Sequence, residues 1–287
     1  VNQAVSGEGS PIPNDILGRS NFLKNEISQL STYIYPKPGQ LFLTAGIRFT
    51  TFEIIDSFLM AIVRFGQHLE VDVLGLSTLI APTPEEGQSV SPLAEVQLAL
   101  KATFVPDDGI LTVQGQLTSN SFLLSRSCHL IGGFAFYSWF KGPHKDDFVV
   151  SIGGYHPKFN KPAWYPNVPR LGFNWRLSSQ ITVKGELYFA MCPHALMAGG
   201  SLQAVFKKGG IKAWFTMGAD FIVSWKPYFY DANINLGLGV SYTFRFFGRH
   251  TITAHLGADL HVWGPDFSGK ARIHLYIVSF TVRKCFQ

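Results

Sequence analysis

From Ser201 to Thr281 apolar and polar residues alternate with a period of two, the pattern of long antiparallel strands with two unlike faces. Ile211, Ala213, Phe215, Met217, Ala219, Phe221, Val223 and Trp225 alternate with Lys212, Trp214, Thr216, Gly218, Asp220 and Lys226. Ile234, Leu236, Leu238, Val240, Tyr242, Phe244 and Phe246 alternate with Asn235, Gly237, Gly239, Ser241, Thr243 and Arg245. Gly209-Gly210 between two such runs predicts a tight hairpin. Pairing Lys208 with Ile211 sets Phe206 opposite Ala213, Ala204 opposite Phe215 and Leu202 opposite Met217, so apolar residues meet apolar residues.

The same rhythm runs through most of the chain and predicts an all-β fold, mainly antiparallel. Large curved meander sheets would form a sandwich or an open barrel. Strands are expected over Gln40–Phe49, Phe52–Phe65, Leu69–Ile80, Pro92–Val105, Ile110–Leu124, His129–Lys141, Phe148–Gly154, Gly172–Ser178 and Gln180–Cys192. Pro106-Asp107-Asp108-Gly109 reads as a turn, because proline presets one dihedral and glycine permits positive φ. Asp15–Ser31 places Ile16, Phe22, Leu23, Ile27 and Leu30 at helical spacing and predicts one short N-terminal helix. Gly153 to Asn174 carries Pro157, Pro162, Pro166 and Pro169, which cannot donate to a strand ladder, so it reads as a long crossing loop. The resulting division is an arm and helix over 1–35, a first β section over 36–154, a crossing loop over 155–175 and a second β section over 176–287. One continuous β domain, part of a larger protein, accommodates all four.

The 287 residues are 46% apolar, 14% aromatic and 15% charged, which suits sheets with much buried or lipid-like contact area. The net charge of +5 is scattered rather than gathered into a basic stripe, so nucleic acid is not an expected partner. Cys128, Cys192 and Cys285 lie far apart without a CxxC pair, which argues against a disulfide framework or a zinc site. With no Asn-x-Ser/Thr sequon, no signal peptide and no long apolar run, the sequence leans to an intracellular setting.

The run Leu187-Tyr-Phe-Ala-Met-Cys-Pro-His-Ala-Leu-Met-Ala-Gly-Gly, followed by Ala219-Asp-Phe-Ile-Val-Ser-Trp-Lys-Pro, carries a resemblance. Over about Gly132 to Val282 the chain resembles the C-terminal part of a group of very large β-rich fungal and bacterial proteins, known only as carrying a domain of unknown function. The resemblance implies a fragment or subunit of a larger β assembly and transfers no catalytic residue.

Sequence signatures of nucleotide sites, serine hydrolases, zinc proteases and calcium loops are missing, and no cofactor or metal is expected. What remains is the polar side of the C-terminal sheet. If Gly264 to Gly269 closes a six-residue hairpin, His261 lies opposite Arg272 and Asp259 opposite His274. Carrying the register back sets Ser241 beside His255. A loop over Pro227 to Ile234 then sets Asp220 beside Ser241. His255, Asp259 and His274 are the candidate acid–base residues, since an aspartate can orient an imidazole, and the same three could ligate a metal. The plainer reading is a solvated polar face. Tyr155, His156, Trp164, Tyr165 and Arg170 on the proline-rich loop are candidate ligand-binding residues, although packing by their own aromatics is the ordinary role of such a loop. Trp214, an indole on the polar face, joins them as a contact for a partner or second layer.

The favoured expectation is a non-catalytic binding or structural protein that buries an apolar sheet face against a hydrophobic small molecule, a lipid, a protein partner or the remainder of a larger assembly. Oligomerisation would cover the same face. An enzyme acting on a lipophilic substrate and a membrane β-barrel are the alternatives.

Overall fold

The computed structural model describes residues 39–52, 54–82, 91–245 and 248–283. They are strands joined by turns, with a single 3₁₀ turn at Gly142–His144, so the fold is all-β and antiparallel. The Asp15–Ser31 helix, most of the Ala81–Ser91 loop and Cys285 lie outside the described residues. The chain divides into two compact units. One comprises residues 1–118 with 139–146, the other 119–138 with 147–287.

The first unit is a meander of β1 (Leu41–Thr51), β2 (Ile55–Phe65), β3 (Glu70–Ala81), β4 (Ala94–Val105) and β5 (Ile110–Leu117), each paired antiparallel with the next. Val105 pairs with Ile110 across Pro106–Gly109, and Gly109 takes φ +66°, as the turn chemistry requires. A part-buried polar row crosses this sheet, with Asp72 its buried member. Asp72 accepts from Thr103 at 2.6 Å and from Arg64 at 2.7 Å, and Arg64 also reaches Glu70 at 2.8 Å.

The second unit contains β6 (Phe122–Leu123), β7 (Ser125–Ile131), β8 (Gly133–Trp139, whose last residue belongs to the first unit) and β9 (Phe148–Ile152). It continues with β10 (Leu171–Arg176), β11 (Ile181–Cys192), β12 (Ala195–Lys208), β13 (Ile211–Trp225), β14 (Tyr228–Arg245), β15 (Arg249–Gly264) and β16 (Ser268–Arg283). The order is β8-β9-β11-β12-β13-β14-β15-β16, with β10 pairing β11 and β7. Two expected strands are interrupted. Ile110–Leu124 breaks after Leu117, and His129–Lys141 breaks at Gly132, whose φ of +130° is closed to other residues.

The Gly209-Gly210 hairpin has the expected register: Lys208 faces Ile211, Phe206 faces Ala213, Ala204 faces Phe215 and Leu202 faces Met217. Later pairings differ. A two-residue Lys226-Pro227 turn replaces the long Pro227–Ile234 loop, and Asp220 pairs with Asn233 rather than Ser241. Ser241 pairs with Thr253, and His255 with Gly239. The last hairpin closes at Trp263–Ser268, so Asp259 faces Arg272, His261 faces Lys270, and His274 faces Gly257. Face membership survives these shifts because each moves the pairing by an even number of residues.

The core of the second unit lies on the side of the sheet that the alternation marks as polar. Residues 153–170 leave β9 and return as β10 along the same edge of β11. They pack over the inner residues Tyr188 and Met197, beside the fully buried Ile222. Among the described residues the opposite, apolar side is uncovered: Ile234, Leu236, Leu238 and Val240 are all exposed, Leu238 by 53%.

Candidate functional site

The inner face of β13 to β16 and the start of the proline-rich segment border an open cavity of 560 Å³. The pleat sends alternate residues to this side: Asp220 from β13, Asp231 and Asn233 from β14, Asp259 and His261 from β15, and Lys270 and Arg272 from β16. His156, Pro157 and Lys158 complete the lining from the opposite side.

Asp231 is the centre of the hydrogen-bonding. Its Oδ2 accepts from Lys158 Nζ at 2.6 Å and from His261 Nε2 at 2.8 Å. Burial raises its pKa, but the bonds from Lys158 and His261 outweigh that and hold the carboxyl below the ordinary aspartate value. Its second oxygen, Oδ1, is buried and has no protein partner. His156 is 3% exposed. Its backbone N–H points to Met197 Sδ at 3.3 Å, and its Nδ1 accepts from the Lys158 backbone N–H at 3.1 Å. A neutral ring accepting at Nδ1 carries its proton on Nε2, and Nε2 is the second buried atom without a protein partner. Burial pushes the His156 pKa down, which favours this neutral form.

The other aromatic residues of the segment pack it together. Tyr155 donates to the Pro166 carbonyl at 3.0 Å and stacks on Phe159, and burial pushes its phenol up to about 12. Tyr165 donates to Asp147 at 2.7 Å, Trp164 donates to the same carboxylate at 2.9 Å, and burial raises the Tyr165 pKa strongly. Arg170 donates to the carbonyls of Gly153 (3.0 Å) and Tyr155 (2.8 Å). Its guanidinium lies 4.0 Å over the Tyr188 ring. Tyr188 in turn donates to Asp220 at 2.7 Å. Arg170, Tyr188, Asp220 and Glu186 border a smaller, 190 Å³ cavity.

Of the sequence-predicted residues, His156 and Asp259 line the large cavity, and Arg170 lines the small one. The acid–base trio does not converge on a single point. His274 Nε2 lies 3.4 Å from Asp259, whereas His255 stacks between Trp214 and Tyr276 with ring centroids 6.2 and 6.3 Å away. Among the described residues no three His, Cys, Asp or Glu groups are placed to hold a metal ion. Trp214 has a local explanation: a Cβ on its cross-strand neighbour Gly239 would sit 2.1 Å from the indole, so the ring lies directly over the glycine. Lys212 caps that ring at 5.3 Å.

Sequence reasoning missed Lys158, Asp231 and Lys270. Asp231 was hidden by reading Pro227–Ile234 as a loop. Its odd position, shared with Asn233 and Asn235, was the signal that put it on the polar side. Lys158 offered only its place two residues after His156 on the proline-rich segment. Among the described residues no helix is long and apolar enough to cross a membrane, which says nothing about strands.

A search of curated proteins returns no match. A model of the family of unknown function DUF6603 matches residues 14–284. A β-sheet unit of this kind, matched over nearly its whole length, places the chain in the DUF6603 family.

Proposed function

We propose that the protein is a non-catalytic, lipid-binding β-sheet module whose open apolar face is covered by acyl chains. The carrying observation is the composition of that face. The outward residues of β13, β14 and β15 include no charged side chain from Ile211 to Trp225, from Tyr228 to Phe244 or from Ile252 to Val262. Aliphatic Ile234, Leu236, Leu238 and Val240 occupy the middle of β14, and Tyr228 and Tyr242 stand towards its two ends. Tyrosine and tryptophan at the limits of an aliphatic band suit a boundary between hydrocarbon and water. A protein partner of similar extent would ordinarily meet about one hydrogen bond per 100–200 Å² and a polar rim, and the middle of this band offers neither. Burying the exposed half of each leucine would contribute about 1 kcal/mol, and summed over the band this drives the face to find cover. The reading also takes the chain to be one section of a larger, intracellular β-rich protein, in which neighbouring sections extend the same face.

The test is to prepare the protein without detergent, extract it with organic solvent and identify the extract by mass spectrometry. We expect phospholipid or fatty acid at near-stoichiometric amounts. Leu236→Lys with Leu238→Lys should abolish this cargo while changing stability by about 0.5 kcal/mol or less per site, because both side chains are exposed. A dispersed, monomeric protein with a clean extract would overturn the reading.

A further inference from the structure

We propose that the inner face of the second unit, at the end marked by the Gly209-Gly210 turn, binds single-stranded nucleic acid. The net charge of +5 conceals a division of charge between the units. The second unit, residues 119–138 with 147–287, carries sixteen Lys and Arg against six Asp and Glu. The first carries eight against thirteen. A unit this basic is fitted to an anionic partner.

The strand register gathers the excess in one place. Cross-strand partners share a face, and Arg176, Lys184, Lys207, Lys212, Arg245 and Arg249 all stand on the side that carries Trp214. All six are exposed, and among the described residues none has an ion-pair partner. The carboxylates lie elsewhere. Glu186 and Asp259 fall in one cross-strand row through Ser201, Gly218 and Asn235. Asp220 and Asp231 lie beyond that row, away from the Gly209-Gly210 turn, as do Asp147 before β9 and Asp266 in the last turn. No carboxylate of the second unit therefore stands between the row and the turn. The six cations spread from β10 to β15, five strand spacings or about 24 Å. That width suits an extended polyanion; a single phosphate would occupy two or three of them.

The aromatic residues among these cations narrow the partner further. Trp214, His255 and Tyr276 occupy one cross-strand row, with Gly239 between the first two. Trp214 lies over Gly239, so its other face is turned away from the sheet. The His255 ring is 20° from parallel to it, and the Tyr276 ring 25° from parallel to His255. Tyr276 is 60% exposed, and Lys212 Nζ stands 5.3 Å from the Trp214 ring centre. Rings laid on a sheet beside lysines and arginines are the combination that stacks unpaired bases while holding their phosphates. A duplex keeps its bases stacked on one another and would use the cations without the rings. A bilayer resting on the apolar band would lie on the opposite side of the sheet, away from these cations.

The experiment is fluorescence anisotropy on the full chain with a labelled oligo-dT of about 16 nucleotides, titrated from about 50 to 200 mM NaCl. A duplex of equal length, polyphosphate and phosphatidylglycerol vesicles serve as competitors. We expect the single strand to bind with a dissociation constant of about 10⁻⁵ M or tighter at the low-salt end, and the affinity to fall steeply as salt rises. Trp214→Leu and Tyr276→Leu should each weaken it about fivefold or more while leaving polyphosphate unaffected. Tyr276→Leu, at an exposed position, keeps that comparison available if Trp214→Leu fails to fold. Lys212→Gln with Arg249→Gln should lower the slope of log affinity against log salt by about 1.4. Leu236→Gln with Leu238→Gln should leave the oligonucleotide bound as before, so this proposal and the lipid reading fail separately. Absence of binding at the lowest salt would overturn the proposal. So would tighter binding of the duplex, of polyphosphate or of the vesicles, or folded ring variants that bind as well as the wild type.

Discussion

At the scale of single residues, His156 and Asp231 show how one short segment sets the protonation of a sheet. Burial lowers the His156 pKa, so the unfolded chain takes up that proton first on acidification. The neutral ring therefore contributes stability above the unfolded value of about 6.5, and this is lost as the pH falls through the lower, folded value. For Asp231 burial acts upwards, but the Lys158 and His261 bonds win and the folded pKa is depressed. Its contribution is present above about 3.9 and is lost as the pH falls below that. Thermal unfolding followed from pH 8 to pH 2 should show both losses, with His156→Phe flattening the upper window and Asp231→Asn the lower. A wild-type and His156→Phe difference that stays constant between pH 7 and pH 5 would contradict this assignment. In the first unit, Asp72→Ala removes the acceptor for Thr103 and Arg64. A cost of about 1–3 kcal/mol is expected in urea unfolding, held down because Arg64 keeps Glu70.

At the scale of elements, glycine on one strand and an aromatic ring on the next recur across the inner face. Trp214 covers Gly239, and Tyr188 covers Gly199, where a Cβ would lie 2.6 Å from the ring. The small residue is what allows the ring to lie flat against the sheet. Gly239→Val should therefore displace Trp214 and destabilise the second unit by about 1–3 kcal/mol, read from the denaturation midpoint and a shifted tryptophan emission. Adding Trp214→Ala to that variant should restore part of the loss, which a purely backbone effect would not allow. The apolar–polar alternation was enough to fix this strand and its neighbours, and Gly209-Gly210 pinned their register. The lengths of the turns at Lys226-Pro227 and at 264–267 were not legible, because a proline beside an aromatic run reads equally well as a loop or a tight turn. Each length was misread by an even number of residues, so the pairings moved but the faces held, up to the one-residue register shift between Thr253 and His255.

At the scale of the units, the decisive event is which side of the sheet gets covered. The 153–170 segment, which leaves β9 and returns as β10 on the same edge of β11, covers the inner side. It brings His156 and Arg170 onto Tyr188 and Met197, and so builds a core among glycines, small residues and a few carboxylates. The apolar stripe of β13 to β15 is left exposed among the described residues. This inversion is why the polar face, which looked like ordinary solvated surface, holds the buried and incompletely paired groups. It is also why the candidate catalytic trio separates: His255 joins the Trp214 stack, while Asp259 stays at the cavity with Arg272 opposite.

The sequence by itself determined the antiparallel strands, the hairpin at Gly209-Gly210 and the two unlike faces, because side-chain alternation and turn chemistry are local properties of the chain. Tertiary structure alone decided which face is enclosed, and with it the cavity, the Lys158–Asp231–His261 bonds and the two unpaired atoms. Those depend on where a proline-rich crossing of eighteen residues lands, and no periodicity along the chain records the landing place.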